Sequence, residues 1–207
     1  MRRRSFIALV CALLCVTPAL SRAAAPKTVL QAGEVLTGRF VQERHMTGFS
    51  SALRTTGRFL LAPGKGLIWR AETPFPVTTV ITADGLLQEA GGSESTRLPA
   101  AKLPFLTHLY DMLGGALSGD WHALETDFNV AATGSDRTWQ VILTPHGAAD
   151  PIGLRIRSIT VTGGQFVDHV QIVKPDGDSD DLTFLAQALS SAPLAADDAA
   201  AFAALAR

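Results

Sequence analysis

Four aspartates crowd into the seven residues PDGDSDD (175–181), a density of carboxylate oxygens of the kind hard cations require. Asp176, Asp178 and Asp180 fall at the first, third and fifth positions of a calcium loop. Such a loop needs Gly at its sixth position for the sharp turn and a bidentate Glu at its twelfth. Those positions hold Asp181 and Gln187, so a solvated hairpin turn is the better reading. The five histidines, His45, His108, His122, His146 and His169, include no pair at metal-ligand spacing. No metal site is expected.

Acyl transfer has no better support. A strained nucleophile turn needs G-x-S-x-G, and GFSSA (48–52) and GGSES (91–95) both lack the closing glycine. Scattered Ser, His and Asp do not make a triad, which is defined by geometry. Neither an enzyme nor a cofactor is expected.

The N-terminus reads as an export signal. Arg2, Arg3 and Arg4 precede an apolar run over 6–16, and small residues follow Pro18. That run is shorter than the about 20 apolar residues a membrane span needs. Ser21 and Ala23 give a small-x-small site, so residues 1–23 are expected to be a cleaved signal peptide and 24–207 one domain in the periplasm. Cys11 and Cys15 both lie in the signal, which leaves the mature chain without a disulfide. Val10 and Leu14 precede these cysteines where a lipidation box wants a small residue, so a soluble protein is expected. The signal also removes four of the 18 basic residues, leaving 14 against 19 acidic ones and a net charge of −5. Such a chain has no electrostatic footprint for nucleic acid.

From Val35 onward the dominant period is two. Leu36, Phe40 and Gln42 share one side of VLTGRFVQER, and Leu53, Thr55, Gly57, Phe59 and Leu61 oppose Arg54, Thr56 and Arg58. Trp139, Val141 and Leu143 repeat the pattern. Turn residues at hairpin spacing separate about ten such runs, which makes the neighbours antiparallel. Leu106, Leu109, Tyr110 and Leu113 recur at helical spacing before Gly114-Gly115, a short helix is expected over 120–124, and the tail after Pro193 is Ala-rich and helical. The expectation is an all-β sheet with helices on one side.

GLIWRAETPFPVTTVITADG (66–85) raises a question, because neither of its faces is cleanly polar. Leu67, Trp69 and Ile81 stand on one parity, yet Ile68 and Val80 stand on the other. A sheet of this width curls, and a chain only 7% aromatic fills the curl only if the central helix and the tail plug it. Two readings stay open: a fully packed core, or partial filling around an apolar cavity. Phe40, Phe59, Leu61, Trp69, Ile81, Trp139 and Val141 are the candidate lining, being on the more apolar parity of their strands.

The order of these pieces resembles the outer-membrane lipoprotein carrier family, LolA. The resemblance rests on Phe40 with Gln42, Gly57 with Phe59, Pro63 leading to Trp69, Pro74, and Asp84-Gly85, then on WQVILTP, Gly163-Gly164 and DGDSDDLTF. It covers almost all of the mature chain. It implies a mainly β fold, an incomplete antiparallel β-barrel of about ten or eleven strands with a helical lid. It further implies a monomeric carrier whose apolar cavity holds the acyl chains of a lipoprotein, received from an inner-membrane ABC transporter or exporter and passed to an outer-membrane acceptor. Helix 103–113, with Leu106, Leu109 and Leu113, is the expected lid. In the family a basic residue precedes the third-strand Pro and ties sheet to lid; here that residue is Ala62. The departure leaves two alternatives, a specialised shuttle for a glycolipid or polyketide-like acyl product, and a structural interaction module without ligand.

Overall fold

The computed structural model describes residues 30–102, 124–135, 137–147 and 155–205. Within them, eleven strands form one sheet. They are β1 (Val35–His45), β2 (Leu53–Ala62), β3 (Gly66–Thr73), β4 (Val77–Thr82), β5 (Gly85–Ala90) and β6 (Ser93–Pro99), then β7 (Phe128–Ser135), β8 (Thr138–Pro145), β9 (Ser158–Gly163), β10 (Val167–Val173) and β11 (Ser179–Ser190). One helix, α1 (Ala196–Leu205), closes the described chain.

The spatial order is β6-β5-β4-β3-β2-β1-β11-β10-β9-β8-β7, and every neighbouring pair is antiparallel. Because eleven is odd, alternation returns the last strand to the direction of the first. Edges β6 and β7 therefore run the same way and cannot pair with each other in this antiparallel pattern. The sheet stays open between them, an incomplete barrel. The hairpin turn that PDGDSDD indicates is made by its first four residues, 175–178, and the last three already belong to β11: the Lys174 N–H donates to the Asp178 carbonyl at 2.8 Å, and the Asp178 carboxylate accepts the Thr47 N–H at 2.7 Å.

Residues paired across a ladder point to the same side, so the register assigns each side chain to a face. Phe40 pairs with Phe184 and Gly57, Phe59 with Trp69, and Leu61 with Leu67, which itself pairs with Ile81. Trp69 and Phe184 are three strand spacings apart, about 14 Å on a flat sheet. Their ring centroids lie 6.1 Å apart. The rings lean together over this side, while the opposite parity carries the exposed pairs of Arg39 and Arg58 with Glu72, so the aromatic side is the concave face. A bulge in β11 opposite Gly38, with Ala186 at φ 50°, adds a local bend.

The opposite parity answers the question posed by residues 66–85. Ile68, Val80, Leu60, Leu87, Val35 and Ala62 are buried on the convex face with Phe202 and Leu205 of α1. Both ends of the helix are fastened: Arg70 Nη2 lies 2.8 Å from Asp198 Oδ1, and Arg97 Nη1 donates to the Ala204 carbonyl at 2.9 Å. The tail expected to fill the aromatic side is thus on the other side. Its alanines leave a low ridge that fits closely against a flat β-surface, and two large apolar groups are too few to plug a wide curve.

Strand β6 was not legible as a strand. SESTRLP shows no apolar alternation, because it is an edge whose side chains are mostly exposed. Residues 1–23, 103–113 with Leu106, Leu109 and Leu113, and positions 120–123 of the short helix lie outside the described residues. Leu124 is described, in a helical turn, and is buried.

Candidate functional site

The concave face is aromatic at its centre. Phe40 stacks on Trp69 with ring centroids 3.7 Å apart and planes at 23°, while Phe184 meets Phe59 edge-on at 5.3 Å. Glycines opposite the rings explain how they lie down. A Cβ at Gly57 would come within 2.8 Å of the Phe40 ring, and one at Gly163 within 2.7 Å of Trp139 Cζ2. The bare backbone lets each ring cover its cross-strand partner instead of standing upright. Trp139 also donates its Nε1–H to the Gly164 carbonyl at 2.8 Å, so its polar atom is satisfied.

Two apolar groups share this face. Leu36, Phe59 and Leu61 are buried with half-buried Leu67, Trp69, Phe166 and Phe184 around them. Across β11, Trp139, Val141, Leu143, Ile159 and Val161 pack with Leu124 and Phe128.

Towards the turn between β10 and β11 the same face becomes polar. The buried carboxylate of Asp180 accepts from Arg44 Nε at 2.7 Å and Gln42 Nε2 at 3.2 Å, and Lys174 Nζ is 3.2 Å away. Burial pushes this carboxyl up, but the hydrogen bonds and charge of Arg44, with those from Lys174 and Gln42, outweigh it and hold Asp180 below the usual carboxylate range. The clamp joins β1 to β11 in the register that sets Phe40 beside Phe184. Asp180 was read as a turn residue; it lies in β11, and composition alone does not separate it from its turn neighbours.

Register places all seven candidate lining residues on the concave face. Phe40, Phe59, Leu61 and Trp69 come together there; Trp139 and Val141 belong to the second group, and Ile81 flanks Leu67. Phe184 and Phe166 were missed, although the parity of LTF in β11 carries a signal for the first. Ala62 is buried in the convex cluster, so a basic side chain there would meet α1 and not the concave face. Among the described residues no group of three or more His, Cys, Asp or Glu is placed to hold a metal.

Among solved structures the fold is similar to a chain in the MucA/MucB complex of Pseudomonas aeruginosa, with 13% identity, a TM-score of 0.48, and 80% of this chain matched to 54% of that one. This chain thus spans about half the length of that protein. It is also similar to a LolA superfamily protein from Nitrosomonas europaea, with 8% identity, a TM-score of 0.44, and 81% of this chain matched to 91% of that one. No curated protein matches it. A family model described as outer membrane lipoprotein carrier protein LolA-like matches residues 20–207, and the chain therefore belongs to the LolA-like family of outer membrane lipoprotein carriers.

Proposed function

We propose that the protein is a periplasmic carrier that holds the acyl chains of lipoproteins against its concave face and moves them from the inner to the outer membrane. The observation that carries this reading is the convergence of Phe40, Phe59, Trp69 and Phe184 on the inside of a sheet left open between two edges. Half-buried Trp69, Leu67, Ile81 and Phe184 are among the apolar groups there that still reach solvent. Each methylene taken from water onto such a surface contributes about 0.8 kcal/mol, which for a long acyl chain sums to on the order of 10 kcal/mol. The donor is an inner-membrane transporter and the acceptor an outer-membrane protein, and no bond is made or broken in the protein.

Trp69→Glu tests the reading, because it sets a charge where the chain would lie at a cost of several kcal/mol. Binding of a fluorescent fatty acid should fall steeply while circular dichroism is unchanged. Undiminished binding with an intact fold would assign the aromatic cluster to packing alone and favour the interaction-module reading.

A specialised cargo, such as a glycolipid or polyketide-like acyl product, is the second reading. It is favoured by Ala62, which replaces the family's basic residue with a methyl buried under α1. Full replacement of a general lipoprotein carrier in a depletion strain would reject it.

A further inference from the structure

The two edges of the open sheet are built differently. β6 carries Glu94 and Arg97 paired at 2.8 Å, ends in Pro99, and meets β5 through a bulge at Gln88/Glu89. Charges, prolines and bulges are the devices that keep a sheet edge from accepting another strand. β7, FNVAATGS, has none of them. It is uncharged, contains no proline, and keeps an unbroken register with β8 from Phe128 to Ser135. Six of its eight residues are exposed, including Ala131 and Ala132 on opposite faces. Among the described residues no strand pairs with its outer side.

We propose that the outer edge of β7 takes an extended, uncharged segment of the cargo polypeptide by antiparallel strand addition, so that the protein holds its cargo by backbone as well as by acyl chain. The proposal rests on the carrier reading above. An unpaired row of N–H and C=O groups recognises an extended backbone of any sequence that alternates suitably. A second copy is the poorer occupant, because one short strand pairing with its twin covers far less than the about 1,200 Å² of a stable association. The occupant must bring binding energy from elsewhere. An acylated segment does so, since β7 continues the concave apolar face through Val130, paired with Leu143, and Ala132, paired with Val141. Tethering the acyl chain raises the effective concentration of the peptide at the edge. Apolar residues in the segment would fall beside Val130 and Ala132, and polar ones beside Asn129, Ala131 and Thr133. Direction presents no conflict, because β6 and β7 run the same way and a strand antiparallel to one is antiparallel to the other.

The test compares palmitate with a short peptide of alternating valine and serine carrying palmitate on its N-terminus, both titrated into the purified protein. The acylated peptide should bind about tenfold more tightly, as 1.4 kcal/mol of net strand pairing would give. Amides of β7 should gain hydrogen-exchange protection with the peptide and not with palmitate. Ala131→Lys supplies the control, since Ala131 pairs with exposed Ile142 on the convex side and a lysine on an edge strand keeps it from accepting another strand. An exposed surface change of this kind leaves the fold and the concave face as they are, so the variant should lose the peptide preference while keeping its palmitate affinity. Equal affinities for the two probes, or unchanged exchange in β7 of the unaltered protein, would overturn the edge proposal and leave the carrier reading standing. So would a concentration-dependent dimer that Ala131→Lys abolishes, which would show that the edge serves self-pairing. Failure of palmitate itself to bind would overturn the carrier reading and this proposal with it.

Discussion

Strands β3 and β8 both offer large apolar residues to the concave face, yet their other faces differ. Behind Leu67 and Trp69 stands Ile68, fully buried; behind Trp139, Val141 and Leu143 stand Gln140, Ile142 and Thr144, all exposed. Where α1 covers it, the β2–β5 half is a sandwich of sheet and helix, apolar on both parities from Leu60 to Leu87, whereas the β7–β9 half has one dry face and one wet face. Alternation is clean where a single surface is covered and blurred where two are. The mixed pattern of residues 66–85 was therefore the trace of a helix lying more than a hundred residues downstream.

The largest effect expected from this contrast is on stability. Ile68→Ala should cost about 3 kcal/mol, since it opens a cavity between β3 and α1, while Ile142→Ala on the same convex face of β8 should stay within about 0.5 kcal/mol. Urea unfolding of the two variants decides it. Equal losses would mean that α1 is not what separates the halves.

A middling effect belongs to Asp180, at the seam where β1 meets β11. Its folded pKa lies below the value of about 3.9 for a free aspartate, so its stabilising contribution is present above that pH and is lost as pH falls through the folded value. Asp180→Asn should cost about 1–3 kcal/mol at neutral pH and flatten the acid limb of the stability curve. An unchanged acid limb would show that the seam does not depend on this carboxylate.

The smallest change is local. Arg70→Ala removes the half-buried pair with Asp198 and should cost about 1 kcal/mol. Amides of α1 should then exchange faster while those of β8 stay as protected as before. Faster exchange in both would mean that the helix steadies the whole sheet and that the two halves are not independent.

By itself the sequence determined what local geometry can carry: strands from period two, turns from Gly, Pro and Asp, and the shared parity of Phe40, Phe59, Leu61, Trp69 and Ile81 within and between sequential hairpins. A hairpin's register follows from its turn, so parity passes reliably from β1 to β5. Family membership was legible for the same reason, because its motifs are strung along those hairpins. The tertiary structure alone decided the rest. Pairing of β1 with β11 joins residues more than a hundred positions apart, and no local period sets that register; the Arg44–Asp180–Lys174 clamp and the Phe40–Phe184 pairing exist only once it is made. Which face α1 covers was equally beyond the sequence, since an Ala-rich helix with two large apolar groups suits any flat apolar surface, and Ile68, Val80 and Leu87 present one on the convex side.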